Sequence, residues 1–105
     1  MNPKLGASWE GFALEEILRF FRERDAYYWG TQGGAELDLF VTKGKKRIGF
    51  EFKYTDSPRT TRSMHIAMED LNIDHLYIVY PGKDSFPIQK KISALVLKDL
   101  AFKLK

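Results

Sequence analysis

From Ser8 to about Arg24 the apolar positions recur every three or four residues, the spacing of a helix with one buried face. Ser8 stands where a hydroxyl would cap its first turn, after an opening Met1-Asn2-Pro3-Lys4-Leu5-Gly6-Ala7. The aromatic run Ala26-Tyr27-Tyr28-Trp29 predicts a short strand, with Gly30 to Gly34 as its turn. Residues 35–42 and 46–54 then alternate apolar and polar about Thr42-Lys43-Gly44-Lys45-Lys46, which predicts a hairpin. Met64, Ala67, Met68 and Leu71 form one stripe of a second helix over 60–71, just beyond Pro58. His75 to Tyr80 is an apolar run stopped by Pro81-Gly82, as expected of a central strand buried on both faces. Residues 86–89 and 92–97 predict further extended pieces, and 98–105 a turn or short helix. The order helix, three strands, helix, strand describes an α/β fold, its first three strands an antiparallel meander.

The hairpin can be read in register. With a loop centred on Gly44 and Lys45, facing residues have numbers that sum to 89. One face then holds Leu37 with Phe52, Leu39 with Phe50, and Val41 with Ile48, an apolar set expected in the core. The other holds Glu36 with Lys53, Asp38 with Glu51, Phe40 with Gly49, and Thr42 with Arg47. Asp38 and Glu51 are like charges facing each other, an arrangement that needs compensation.

The first helix carries a second anomaly. Trp9, Ala13, Leu14, Ile17, Leu18, Phe20 and Phe21 share one arc, and Glu10 falls in its middle. A carboxylate pointing inward needs a donor, a cation or a metal, and the residues next to it in sequence supply none. Both anomalies are resolved if the helix packs over the sheet with Glu10 near Asp38 and Glu51, and a divalent cation offsets the three charges. Carboxylate and carbonyl oxygens with water are the ligands Mg²⁺ or Mn²⁺ prefers. Lys53, two residues beyond Glu51 on the same face, would hold its ammonium ready for a phosphate or a water. The chemistry expected of such a site is phosphodiester hydrolysis.

Composition narrows the classes without choosing among them. At 105 residues there is room for one domain, spanning 1–105, and for a site built on the core elements themselves. No cysteine occurs, which excludes disulfides and thiolate zinc sites. With no signal-like start and no long apolar run, the expectation is a cytoplasmic chain with no membrane segment. The net charge of +3 gives only a modest pull on a polyanion.

Plainer readings stand beside these. Glu36 with Lys53 fits a cross-strand ion pair, Lys53 and Arg47 could neutralise a solvated acidic face, and Glu10 could pair with Arg24. Arg59, Thr60 and Arg62 open the second helix, where a phosphate or an ordinary cap would fit equally well. Lys45 and Lys46 at the hairpin tip suit nucleic-acid contact or simple solubility. His65 and His75 lack partners at ligand spacing and read as surface or core residues, and Tyr27, Tyr28 and Trp29 read as core.

Glu10 on the helix, Asp38 on the second strand and Glu51-Phe52-Lys53 on the third resemble the PD-(D/E)XK nuclease superfamily. The likeness extends over roughly residues 3–98. That resemblance implies a restriction-endonuclease-like core of order α-β-β-β-α-β, a mixed sheet flanked by helices. Leu37, where the superfamily's name would put proline, departs from the signature. Pro3-Lys4-Leu5-Gly6-Ala7 with Trp9-Glu10, Tyr28-Trp29, Gly34-Ala35-Glu36-Leu37-Asp38 and Phe50-Glu51-Phe52-Lys53 look more closely like an uncharacterised domain found C-terminal to AAA+ ATPase modules in bacteria and archaea. The resemblance implies Asp38, Glu51 and the Phe52 carbonyl as metal ligands, Lys53 as the residue that positions water or offsets charge, and Glu10 as an outer or second-metal ligand. It implies Mg²⁺ or Mn²⁺ as cofactor, nucleic acid, DNA above all, as partner, and an ATPase module upstream. A homodimer fits so small a nuclease. The alternative is a nuclease fold kept for DNA binding or assembly without turnover.

Overall fold

A computed structural model describes residues 3–22, 26–31 and 34–104, the side chains of Pro3 and Lys4 excepted. Its elements are α1 (Pro3–Phe20), β1 (Ala26–Gly30), β2 (Glu36–Lys43), β3 (Lys46–Phe52), α2 (Arg62–Asp70), β4 (His75–Val79), β5 (Phe86–Gln89), β6 (Ile92–Leu95), a 3-10 turn (Leu97–Asp99) and α3 (Leu100–Leu104). They form a six-stranded mixed sheet flanked by helices, in the order β1-β2-β3-β4-β6-β5. The first three strands are the antiparallel meander expected, and β4 runs parallel to both β3 and β6. The extended pieces expected over 86–89 and 92–97 form an antiparallel β5–β6 pair, and the chain closes in the expected short helix.

α1 begins earlier than the periodicity predicts. Pro3 suits a first turn, where no N–H partner is needed, so Ser8 lies exposed inside the helix rather than at its cap. The helix also ends earlier, because Arg22 turns left-handed at a φ of 57°. Arg24, the expected end, lies outside the described residues, as do Gln32 and Gly33 of the expected glycine turn. α2 starts two residues later than expected, where Thr61 becomes the cap by accepting the Met64 N–H at 3.3 Å.

Apolar residues bury on both faces of the sheet. Ala13 and Ile17 of α1, with Leu100 and Leu104 of α3, pack on Leu39, Val41, Ile48, Phe50, Phe52 and Val79. Met64 and Ala67 of α2 pack on the other face, against Phe40, Leu76, Ile78 and Ile92. Gly49 faces α2 with no side chain. A methyl there would come within 3.0 Å of Ile73 Cδ1 and 3.4 Å of Leu37 Cδ2. Gly49→Ala is therefore expected to lower stability by about 1–2 kcal/mol in a urea titration, and an unchanged midpoint would show that the two side chains yield freely.

The hairpin register agrees with the sequence reading over Leu39↔Phe50, Phe40↔Gly49, Val41↔Ile48, Thr42↔Arg47 and Lys43↔Lys46. Gly44 has a φ of 62° while Lys45 does not have a positive φ, the pattern of a type II′ turn. Beyond Leu39 the regular ladder stops. Pairing with β1 passes from Tyr27↔Phe40 to Trp29↔Leu37, so β2 steps back three residues while β1 advances two. β2 thus carries one extra residue, a bulge at Asp38–Leu39. The expected placing of Leu37 beside Leu39 is corrected by it: Leu39 buries under α1, whereas Leu37 buries with Phe40 under α2.

Candidate functional site

The bulge sets the geometry of the acids. With the ladder interrupted, Asp38 supplies the missing acceptor: its Oδ2 takes the Phe52 N–H at 2.9 Å. Glu51 lies against it. Among the described residues Glu51 is the one charged side chain inside the core, 5% exposed. Its carboxyl hydrogen-bonds the Asp38 carboxyl and is pushed up to about 8. Burial is the main cause, followed by the bond to Asp38 and by its negative charge; Lys53 and the Asp38 main chain act in the opposite direction. No buried side-chain nitrogen or oxygen among the described residues lacks a hydrogen-bond partner.

Glu10 does approach this end of β3, as the helical arc implied. Its Oε2 accepts the Tyr54 N–H at 3.3 Å, and the neighbouring Trp9 ring sits 6.1 Å from the Tyr54 ring. Two acids, from α1 and from β2, therefore bind successive outward-directed amides where β3 ends. The residue that anchors Glu10, Tyr54, is one that side-chain patterning could not reveal, since it acts through its main chain. The three carboxylates do not converge on one point: among the described residues no group of three or more His, Asp or Glu stands within common reach of an ion. Asp38 and Glu51 form the close pair, and Glu10 stands beside it.

Lys53 is exposed, with its main chain tied by a bond from its N–H to the Val79 carbonyl at 2.9 Å. Its expected ion pair with Glu36 is absent, the one ion pair among the described residues being Arg19–Glu16. Arg24, the basic partner expected for Glu10 on the plainer reading, lies outside the described residues. The Phe52 carbonyl leaves the strand on the same side as its N–H, toward β2 and Asp38. A cavity of about 530 Å³ opens beside the pair, walled by Glu10, Glu36 and Asp38 and by the rings of Tyr28 and Trp29. Here the expectation of a buried aromatic run is corrected for the two tyrosines, Tyr28 being 72% exposed and Tyr27 53% because β1 is an edge strand, while Trp29 packs against the core under α2.

The basic residues divide between the two ends of the sheet. Arg59, Thr60 and Arg62 lie on the segment that leads from β3 into α2, at the acid end, with Arg59 and Arg62 exposed. Lys45 and Lys46 are at the other end, five residues or more along β3 from Glu51, about 17 Å at the rise of a strand. These lysines and the acid pair therefore lie toward opposite ends of β3. His65 is exposed on α2, and His75 opens β4 with Nε2 bonded to Ser93 Oγ at 2.9 Å.

A mixed sheet flanked by helices, with a buried glutamate meeting a half-buried aspartate at a strand bulge, defines the class. The chain belongs to the family described as a domain of unknown function (DUF4143), whose model matches residues 5–100. It is 48% identical over 94 residues to the uncharacterized protein Rv2008c of Mycobacterium tuberculosis and, to the same extent, to the uncharacterized protein Mb2031c of Mycobacterium bovis. The match takes in 90% of this chain and 21% of each relative, so the chain spans about a fifth of their length. No solved structure matches the chain. Among the described residues no helix is long and apolar enough to cross a membrane.

Proposed function

We propose that the protein is a Mg²⁺- or Mn²⁺-dependent nuclease with a restriction-endonuclease-like PD-(D/E)XK core, hydrolysing phosphodiesters at the Asp38–Glu51 pair. The observation that carries this reading is the pair itself: two carboxyls in contact, one of them inside the core, with no basic side chain bonded to either among the described residues. Burying acids together is costly unless a proton or a cation lies between them. The donors present, two carboxyls and the Phe52 carbonyl on one strand edge, are all oxygen and suit a hard divalent ion.

Asp38 and Glu51 would hold the ion, with Glu51 giving up its proton on binding. A divalent cation supplies Lewis-acid charge to a phosphate. Lys53, exposed at the end of β3 and close enough to act on Glu51, meets a phosphate oxygen and offsets charge there. Glu10, held by the Tyr54 N–H, orients α1 over the site and keeps its second oxygen free to accept from water. Arg59 and Arg62 at the same end hold flanking phosphates.

Incubation with Mn²⁺ and single- or double-stranded DNA should give cleavage by the wild type. Asp38→Ala and Lys53→Ala should each reduce the rate by at least about a hundredfold, in the range lost with general acid–base or charge-stabilising groups. Intact DNA and RNA with either metal would overturn the reading.

A second reading has its own observation. Asp38 and Glu10 each commit an oxygen to a main-chain N–H at the broken ladder, a structural task that needs no turnover. On that reading the domain is a nuclease fold kept for DNA binding or assembly beside an AAA+ ATPase. It calls for DNA binding that survives Asp38→Ala and a melting temperature indifferent to Mn²⁺.

A further inference from the structure

The lysines at the hairpin end do more than decorate a turn. Lys43, Lys45 and Lys46 face Lys103 of α3 across a groove of about 900 Å³, with His75 and Tyr77 on its floor. A smaller hollow of about 270 Å³ shares His75, Tyr77 and Lys103 with it and continues to Ser93 and Phe86. The two make one trough that crosses β3, β4, β6 and β5, about 14 Å at the usual spacing of three strand steps.

Its charge is unbalanced. Asp74 is the one acid on the lining, and its Oδ2 already accepts the Arg47 N–H at 2.8 Å. Lys43 spends one of its three donors on the Leu104 carbonyl at 3.1 Å, which fixes its ammonium at the rim. The other lysines are exposed and bonded to no acid among the described residues. Between them lie rings. His75 and Tyr77 are half-buried and 4.6 Å apart at their centroids, and Phe86 is 41% exposed.

We propose that this trough binds single-stranded nucleic acid, with phosphates on Lys45, Lys46 and Lys103 and bases stacked on Tyr77 and Phe86. Lysines alone would suit any polyanion. Rings interleaved with them on an open strand surface select a chain whose bases are free to stack. A duplex keeps its bases stacked on one another and would leave these rings unused, and an acidic peptide has no flat partner for them. The choice of nucleic acid over other polyanions rests on the phosphodiester reading of the acid pair. Position is the new element: capture takes place about 17 Å from Glu51, on a surface separate from the acid pair.

The test is fluorescence anisotropy of the full chain with a labelled short oligodeoxythymidylate in EDTA, where no cleavage can intervene. Lys45→Ala, Lys46→Ala and Lys103→Ala combined should weaken binding at least tenfold. They should also flatten the dependence of log affinity on log salt by about two, near 0.7 per lysine removed. Phe86→Ala, whose side chain is largely outside the core, should weaken binding several-fold with the salt dependence kept. Duplex of equal length should bind less well, and poly-glutamate should not compete. Unchanged affinity in the triple lysine variant would overturn the proposal, as would poly-glutamate displacing the oligonucleotide as readily as unlabelled DNA does. Lysine-dependent binding without any Mn²⁺-dependent cleavage would refute the nuclease reading alone, and cleavage that is indifferent to the lysines would refute this one alone.

Discussion

Glu51→Gln is expected to make the metal-free protein more stable at pH 8 than the wild type, by about 2–4 kcal/mol, while removing any Mn²⁺-dependent cleavage. The carboxyl of Glu51 is pushed up to about 8 from its ordinary 4.5, chiefly by burial. The folded protein therefore keeps a proton that the unfolded chain releases. That contribution to stability is fully present below pH 4.5 and is lost as the pH rises through about 8, at about 1.4 kcal/mol per pH unit of difference. Above pH 8 the wild type must hold a charge in its core beside Asp38, whereas glutamine keeps the neutral shape and still donates to Asp38. Urea titrations of both proteins in EDTA should show nearly equal midpoints at pH 5 and a clear gap at pH 8. A gap of the same size at both pH values would mean that Glu51 is not held neutral by its surroundings. A stabilising change that abolishes activity is the usual mark of a residue placed for function at a cost to the fold.

The largest loss of stability should come from Phe50→Ala, about 3–5 kcal/mol. Phe50 is fully buried on β3, with its ring 5.8 Å from Tyr77, 5.9 Å from Phe21 and 6.5 Å from Phe52. It therefore joins the end of α1, the next residue on its own face of β3, and the neighbouring strand. No one of these can move in to fill the void without leaving the others, so most of the cavity cost remains. Phe102→Ala is the matched control: that ring is 83% exposed and its loss should change stability by less than about 0.5 kcal/mol. A Phe50→Ala midpoint within about 1 kcal/mol of the wild type would show that the core under α1 is loosely packed.

The ladder from Leu39 to Lys46 could be read from residue numbers because a two-residue turn makes facing positions symmetric, and the alternation on either side permits one register only. The inward face of α1 was legible for the same reason, and Glu10 stood out on it as a charge in need of a donor. What the numbers could not show was the extra residue in β2. It arises from pairing with β1, across a turn that carries no register information, and it sends Leu37 to the face opposite Leu39. Asp38 and Glu51 do meet, though as side chains across a break rather than as a ladder pair. Tyr54 escaped notice because only its amide matters. The exposure of Tyr28 escaped because edge position is a property of the sheet and not of the strand. Lys45 and Lys46 were recognised as a basic cluster, but their distance from the acids follows from strand length and direction, which composition does not express.

The charge is gathered unevenly along the sheet: Lys43, Lys45, Lys46 and Lys103 share one end with Asp74 as the one acid lining their groove, whereas at the other Glu10, Glu36 and Asp38 stand among Lys53, Arg59 and Arg62. In the field of a polyanion such a molecule feels a torque before it feels a contact. The lysine end would turn forward, and on the nuclease reading a strand first gripped there would be led along the protein's length before it meets the acids.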